Sequence, residues 1–199
     1  HAPDCYMDKI AAGPEMEGHI ALDAGVSYNI EQVATVMDKP IDEVQIIALD
    51  RPRHHKLFKE INALGAQLHT LSDGDIAAAL WAARPEGNYD MLLGIGAAPE
   101  GVITATAIRG IGGVFEGRLV FRSDAEEARA ANMIDDDLTR LWSARDLCQS
   151  DDAVFVASGV CDGYLPGVKI NQDGTIGTFA EMIDVASRKI TRHDRIHNQ

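Results

Sequence analysis

The sequence contains few cysteines and no long apolar run. Its three cysteines, Cys5, Cys148 and Cys161, are odd in number and lack the spacing of metal ligands. We therefore expect reduced thiols and a cytoplasmic location. No stretch approaches the roughly 20 consecutive apolar residues that cross a bilayer, so we expect no membrane partner.

Basic side chains are also scarce. Eighteen lysines and arginines stand against 31 acidic residues, which gives a formal net charge of -13. This charge repels polyanions, so we expect no nucleic-acid partner. A phosphorylated ligand would have to be held by a local cluster of cations or through a metal ion. The apolar fraction of 46% is ordinary for a globular protein, and 199 residues are enough for one substantial core or two small ones.

Three apolar runs in the middle of the chain have the composition of strands, and each is followed by a helical pattern. They cover residues 44–49, 66–71 and 91–97. Alternating strands and helices form right-handed crossovers between parallel strands. The sequence therefore predicts an α/β fold with a parallel β-α core at about residues 44–109 and a mixed remainder. We expect the apolar positions of the three helices to be core, among them Ile103 of the third.

Charged side chains follow each of these three runs. In an open parallel sheet, ligands bind at the carboxyl ends of the strands. Here that edge carries both signs of charge, on Arg51, Arg53, His54, Asp73, Asp75 and Glu100. Cations beside carboxylates suit a phosphorylated ligand with a divalent metal.

The first junction is Arg51-Pro52-Arg53. Pro52 can start a helix, because its missing N–H costs nothing there, and the alternate arginines can hold one phosphate from two sides. The alternative is a pair of surface arginines at an exposed helix start. His54 and His55 have no spacing typical of zinc ligands, so we interpret them as surface or phosphate-facing residues.

The second and third junctions are acidic. Asp73-Gly74-Asp75 can accept hydrogen bonds from sugar hydroxyls or hold a metal-bound water, although Asp before a helix also serves as an N-cap. Glu100 follows Pro99, the predicted helix start. There a carboxylate can bind a metal or merely complement the helix dipole.

A glycine pattern offers a competing interpretation. Gly94 and Gly96, with Glu116 about twenty residues further on, resemble part of a dinucleotide-binding fingerprint. The third glycine position of that fingerprint is occupied by Pro99, which fits poorly. The match is weak on its own.

The remaining segments give shorter predictions. Residues 6–9 suggest a helical turn, 19–22 a strand, 28–37 a helix and 114–121 a strand. Residues 123–152 read as a solvated helical face, and 153–157 as a buried strand. His69 lies inside a strand pattern, where a structural histidine is expected.

Several short motifs, in this order and spacing, resemble the class II (GlpX-type) fructose-1,6-bisphosphatases over nearly the whole chain. They are Ala2-Pro3-Asp4-x-Tyr6-Met7-x-Lys9, Arg51-Pro52-Arg53-His54, Asp73-Gly74-Asp75, Gly94-Ile95-Gly96-x-Ala98-Pro99-Glu100-Gly101, Phe115-x-Gly117-Arg118-Leu119 and Ser158-Gly159-Val160-x-Asp162-Gly163.

The resemblance implies a layered sugar-phosphatase fold and a metal-dependent hydrolase. The reaction would remove the 1-phosphate of fructose 1,6-bisphosphate, and in some relatives that of sedoheptulose 1,7-bisphosphate, in gluconeogenesis or the Calvin cycle. Mg or Mn is the expected cofactor. The expected partners are the sugar bisphosphate and further copies of the chain, as a homo-oligomer.

The resemblance also implies a role for individual residues. Glu100 resembles a metal ligand and so a catalytic residue. The substrate-binding residues it implies are Tyr6, Arg51, Pro52, Arg53, Asp73, Gly74, Asp75 and Ala97. Ala97 departs from the glycine usual in the family, which leaves a backbone contact there open.

In the family, most metal-binding acids lie in an N-terminal half that this sequence does not contain. We therefore interpret residues 1–199 as the C-terminal portion of a sugar-bisphosphatase domain, and expect this portion alone to be inactive. Two other hypotheses are a non-catalytic module that binds a sugar phosphate or dinucleotide, and a structural or assembly domain.

Overall fold

The structure, a computed structural model, describes residues 2–198. Ten strands and six helices occupy this part of the chain. The strands are β1 (Tyr6–Ala12), β2 (Gln45–Leu49), β3 (Gln67–Leu71), β4 (Met91–Ala97), β5 (Val114–Val120), β6 (Trp142–Ser143), β7 (Val154–Ser158), β8 (Lys169–Ile170), β9 (Ile176–Asp184) and β10 (Lys189–His197). The helices are α1 (Val26–Val36), α2 (His55–Leu64), α3 (Asp75–Ala82), α4 (Ala98–Ile111), α5 (Asp124–Ala131) and α6 (Ala144–Leu147).

The larger sheet has six strands in the order β3-β2-β4-β1-β5-β6. β2 runs parallel to both β3 and β4, which confirms the predicted parallel core. β1 lies antiparallel between β4 and β5. The predicted α/β class and mixed remainder are therefore confirmed.

The prediction of a helical turn at residues 6–9 was wrong, because these residues begin β1 at the centre of the larger sheet. Tyr6 pairs with Ala97 of β4 on one side and with Val120 of β5 on the other. Four residues are too few to show a period. β1 is also covered on both faces, so its sequence lacks the polar alternation of a half-exposed strand.

The elements form four stacked layers. Helices α1 and α2 cover one face of the larger sheet, where Ile30, Ile61 and Met91 share a core. Helices α3 and α4 cover the other face. A smaller sheet, β10-β9-β7 with β8 beside β9, packs on the far side of α3 and α4 through Phe155 and Ile183. This arrangement agrees with the layered fold that the resemblance implied.

A buried ion pair fastens the smaller sheet to the helices. Arg84, just after α3, donates from Nη1 and Nη2 to the two carboxylate oxygens of Glu181 on β9, at 3.0 and 2.7 Å. Tyr164 adds a hydroxyl donor at 2.7 Å. Glu181 is fully buried, so these partners replace the water that it loses.

Other elements confirm or correct the sequence predictions. The helix expected at 28–37 and the strand at 114–121 are confirmed as α1 and β5. The prediction of a strand at residues 19–22 was wrong, since a short 3-10 turn begins at Leu22. The segment 123–152 is helical only in α5 and α6.

Two further sequence predictions differ from the structure in how buried their residues are. β7 confirms the strand predicted at 153–157, but Val154 and Val156 are exposed because only one face of the smaller sheet packs on helices. Ile103 is 47% exposed and not core, because α4 presents small residues such as Ala105 to the larger sheet instead.

None of the helices between residues 2 and 198 is both long and apolar enough to cross a bilayer; the longest, α4, has 14 residues. All three cysteines are free thiols, with Cys5 buried and Cys161 exposed.

Candidate functional site

The carboxyl ends of β2, β3 and β4 bring the predicted site residues to one edge of the larger sheet. Arg51 and Arg53 follow β2, Asp73 and Asp75 follow β3, and Glu100 follows β4. Within this edge the residues divide into an acidic pair and a cationic cluster.

The acidic pair consists of Asp75 and Glu100. Asp75 is the first residue of α3 and is 6% exposed, whereas Glu100 lies half-buried in the first turn of α4. Burial raises the pKa of Glu100, and the negative charge of Asp75 raises it further. A carboxylate that only complemented the helix dipole would be stabilised in its charged form. The raised pKa instead marks a place where a cation would be favourable.

Lys9 already supplies one positive charge to the acidic pair. It lies on β1, is 2% exposed, and forms an ion pair with Asp75. Its Nζ also donates to the carbonyl oxygen of Ala97 at 3.2 Å. Sequence reasoning placed Lys9 only within a motif of the resemblance. A lysine directly before the apolar run Ile10-Ala11-Ala12 was the signal that could have pointed to it.

Gly96 makes this arrangement possible because it has no side chain. A Cβ at Gly96 would lie 2.1 Å from Oδ2 of Asp75 and 2.8 Å from Nζ of Lys9. No real Cβ is accommodated at such distances. The glycine of β4 therefore lets a carboxylate and an ammonium group approach the backbone.

Gly74, not Asp73, caps α3. Gly74 has φ 93° and ψ 52°, and the helix receives no hydrogen bond from a capping side chain. Oδ1 of Asp73 accepts from the Gly74 N–H at 2.9 Å, and its side chain is 90% exposed. The N-cap interpretation of Asp73 was therefore wrong, and its carboxylate faces solvent.

The cationic cluster consists of Arg53, Arg122 and the ring of Tyr6 between β4 and β5. The guanidinium carbon of Arg53 lies 4.6 Å from the centroid of the Tyr6 ring, and that of Arg122 lies 4.7 Å from it. Nε and Nη2 of Arg122 already donate to Oε1 of Glu126. The N–H groups that remain on the two guanidinium groups are donors suited to phosphate oxygens. Sequence reasoning missed Arg122, since its distance from the other arginines along the chain gave no signal.

Arg53 is held in place by the backbone of β4. Its Nε and Nη2 donate to the carbonyl oxygen of Ile95 at 2.9 and 2.7 Å. Pro52 begins a 3-10 turn that leads into α2, which confirms its predicted role as a helix start. Arg51 points elsewhere: its Nη2 lies 3.9 Å from Oδ1 of Asp73. That both arginines hold one phosphate stays a prediction.

His54 connects the same turn to β4 from the inside. It is 2% exposed, so the surface location predicted for it was wrong. Its Nδ1 lies 2.6 Å from the carbonyl oxygen of Leu49, and the Ile95 N–H donates to its Nε2 at 2.8 Å. These partners require the neutral ring with the proton on Nδ1. Burial lowers the pKa of His54 accordingly.

Ala97 and His69 also have defined places. Ala97 ends β4 opposite Tyr6, so it lies between the cationic cluster and the acidic pair. His69 has its Nε2 2.6 Å from Oε1 of Gln45, as expected for a structural histidine.

The geometry does not favour the dinucleotide interpretation. Oε2 of Glu116, which would have to bind a ribose, accepts from the Leu22 N–H at 2.7 Å. A Cβ at Gly94 would lie 3.0 Å from the His54 ring. The glycines of β4 therefore serve close packing of side chains and not a phosphate-binding turn.

Asp75 and Glu100 fit only part of a divalent metal site. Among residues 2–198, no group of three or more histidines, cysteines or acids is arranged to hold a metal ion. Mg and Mn take about six oxygen ligands, some of them water. The two carboxylates can supply one side of such a site and do not complete it.

Comparison with known proteins agrees with this arrangement. The family described as bacterial fructose-1,6-bisphosphatase, glpX-encoded, matches residues 1–197. A relative from Synechococcus elongatus, named D-fructose 1,6-bisphosphatase class 2/sedoheptulose 1,7-bisphosphatase, is 34% identical over 98% of this chain and 60% of its own length. A relative of the same name from Prochlorococcus marinus is 36% identical over 88% of this chain and 57% of its own length.

The chain thus spans about three fifths of the length of these relatives. The family match, however, covers almost every residue that the structure describes. The first four motifs of the resemblance also meet at one edge of the larger sheet, so sequence and geometry agree there. The chain belongs to the GlpX-type, class 2 fructose-1,6-bisphosphatase family.

Proposed function

We propose that the chain forms the substrate-binding part of a phosphatase that hydrolyses the 1-phosphate of fructose 1,6-bisphosphate. The observation that carries the proposal is the short separation of the acidic pair from the cationic cluster. Tyr6 pairs directly with Ala97, and Glu100 follows Ala97 by three residues. A bisphosphate has one phosphate that reacts and one that does not, and so needs both kinds of group in one site.

In this proposal, the cationic cluster holds the phosphate that does not react. Arg53 is oriented by Ile95, so less rotational freedom is lost when it binds. The exposed carboxylate of Asp73 can accept hydrogen bonds from the sugar hydroxyls. Arg51, near Asp73, can reach either the sugar or a phosphate oxygen.

The acidic pair serves the phosphate that reacts. Glu100 would be a ligand of a divalent ion, Mg or Mn, with Asp75 beside it. Such an ion polarises phosphoryl oxygens and makes a bound water more acidic. Lys9 holds Asp75 in place through their ion pair, and Gly96 leaves room for the side chains of Lys9 and Asp75 next to the backbone of β4. The remaining ligands would come from the part of the family fold that lies outside this chain.

The relatives' names include sedoheptulose 1,7-bisphosphatase. We propose this longer sugar as a second substrate, because the exposed side of Asp73 leaves room for another hydroxyl-bearing carbon. A cytoplasmic location and a role in gluconeogenesis or the Calvin cycle follow from the same proposal.

A sugar-phosphate-binding module without catalysis is the second candidate. It is favoured by one observation, the incomplete metal-ligand set among residues 2–198. For residues 1–199 by themselves, we expect binding of fructose 6-phosphate without release of phosphate from the bisphosphate.

The test compares the 199-residue chain with the full-length gene product. Phosphate release from fructose 1,6-bisphosphate is measured across Mg and Mn concentrations, and fructose 6-phosphate binding is measured by calorimetry. We expect metal-dependent turnover only from the full-length protein and sugar-phosphate binding by both. Turnover by the 199-residue chain at the full-length rate would show that the metal ligands are misassigned. No turnover by the full-length protein would refute the proposed reaction.

Glu100→Gln in the full-length protein tests the metal role. The amide keeps the shape and removes the charge, so we expect kcat/KM to fall by roughly 10²-fold or more. Folding stability should change little. Normal kinetics at limiting metal would instead support the dipole interpretation of Glu100.

A further inference from the structure

Glu126 binds Arg122 of the cationic cluster at two places. It is the third residue of α5 and is 6% exposed, whereas the side chain of Arg122 is 53% exposed. Nε and Nη2 of Arg122 donate to Oε1 of Glu126, and the backbone N–H of Arg122 donates to Oε2 at 2.9 Å. One buried carboxylate therefore holds both the backbone and the guanidinium group of an exposed arginine.

These contacts differ from those of an ordinary helix cap. Ser123 is the N-cap of α5, and in a capping box Glu126 would accept from the backbone N–H of that serine. Helix α6 has such a box, since the Ser143 N–H donates to Oδ2 of Asp146 at 2.8 Å. In α5, Oε2 of Glu126 accepts instead from Arg122, one residue before the N-cap. The carboxylate is thus directed towards the cationic cluster.

The side of the guanidinium group that Glu126 occupies is not the only one that can bind an anion. Five N–H groups lie in the plane of a guanidinium group. Nε–H and one N–H of Nη2 point to the same side, and this side contacts Glu126. An N–H of Nη1 and the second N–H of Nη2 point along the end of the side chain. Two parallel N–H groups of this kind match two oxygens of one phosphate.

We propose that Glu126 is a positioning residue, which holds Arg122 so that the end of its guanidinium group faces the phosphate that does not react. This inference rests on the function proposed above for the cationic cluster. Arg53, the other arginine beside Tyr6, is held in the same way by the carbonyl oxygen of Ile95. Because that carbonyl is uncharged, one carboxylate serves two guanidinium groups, and the cluster keeps a positive charge for the phosphate.

Glu126 acts on binding and not on the chemical step. Without its carboxylate, Arg122 would adopt many rotamers, and ordering the side chain on the phosphate would cost affinity. That cost is equal in the ground and transition states when the phosphate is remote from the reacting bond. In the full-length protein, we expect Glu126→Ala to raise KM for fructose 1,6-bisphosphate about 3- to 10-fold and to leave kcat within about twofold.

Calorimetry with fructose 6-phosphate measures the same contact without the reaction. This product retains the phosphate that does not react, so its Kd should rise by the same factor as KM. Because binding needs no turnover, the measurement decides the role of Glu126 even if the full-length protein is inactive and the proposed reaction fails. A lower KM and Kd would show that Glu126 competes with the phosphate for Arg122. Unchanged values would show that Arg122 needs no partner, and either result would overturn the proposal.

Two control variants separate positioning from the stability of α5. Ser123→Ala removes the hydroxyl that accepts from the Glu126 N–H at 3.4 Å, but it keeps the carboxylate. We expect a lower Tm and an unchanged KM. Glu127→Ala, at an exposed neighbour in α5, should change neither. If Ser123→Ala raised KM as much as Glu126→Ala, the effect would belong to helix stability and the proposal would be wrong.

A double-mutant cycle tests whether Glu126 acts through Arg122. Arg122→Ala alone should raise KM about tenfold or more. Adding Glu126→Ala should raise it little further, since no guanidinium group remains to be positioned. Glu126→Gln keeps the size of the side chain and one acceptor oxygen, so its KM should lie between those of wild type and Glu126→Ala. Independent effects that multiply in the double variant would refute the positioning role.

Discussion

Lys9 and Asp75 lie 66 positions apart in the sequence and form a buried ion pair beneath the end of β4. The pair connects the central strand of the larger sheet to the first residue of α3. Because Nζ of Lys9 also bonds the carbonyl oxygen of Ala97, the same lysine fixes the start of α4. One side chain thus sets the spacing of Asp75 and Glu100.

Lys9→Met should destabilise the fold by about 3–5 kcal/mol, because it leaves Asp75 buried without a counter-charge. Chemical denaturation measures the loss. In the double variant with Asp75→Leu, no charge remains unpaired, and much of the stability should return. A double variant that is less stable than Lys9→Met would show that the ion pair is not the cause.

Gly96→Ala should reduce stability by about 1–3 kcal/mol, since the new methyl group collides with the Asp75 carboxylate and forces it to move. Gly163→Ala is the matched control, because a Cβ there meets nothing within 4 Å. Thermal unfolding compares the two. Equal midpoints would mean that Asp75 can move away at no cost.

The buried neutral His54 should make the protein less stable in mild acid. Its pKa is lowered in the folded state, so the unfolded chain takes up a proton first as the pH falls. The stability that neutral His54 contributes is fully present above about pH 6.5, the pKa of histidine in the unfolded chain. It is lost as the pH falls towards the pKa of His54 in the folded protein, by at most about 1.4 kcal/mol per pH unit.

Urea unfolding at several pH values between 7.5 and 5.5 checks this. His54→Gln should flatten the pH dependence, whereas His55→Gln, at an exposed neighbouring position, should retain it. An unchanged slope in His54→Gln would assign the acid sensitivity to another group.

Arg53→Ala in the full-length protein should raise KM and leave kcat nearly unchanged. A phosphate remote from the reacting bond makes contacts of similar strength in the ground and transition states. Steady-state kinetics with fructose 1,6-bisphosphate separates the two constants, with Arg129→Ala as a control at an exposed arginine of α5. A large fall in kcat at constant KM would place Arg53 at the reacting phosphate instead.

The sequence by itself determined the family, the parallel β-α core and the edge at which the charged residues gather. These features depend on local patterns. An apolar run, or a proline such as Pro52 or Pro99, influences the structure of only the few residues around it. The gathering of Arg53, Asp75 and Glu100 then follows from the geometry of parallel strands.

Only the tertiary structure decided the partners of those residues. The central place of β1, the ion pair between Lys9 and Asp75, and the two arginines beside Tyr6 all join positions far apart in the chain. Burial on both faces removes the alternation that identifies a strand, which is why β1 was mistaken for a helical turn. His54 was misplaced for a related reason: its burial is set by Leu49 and Ile95, and the second of these lies on another strand.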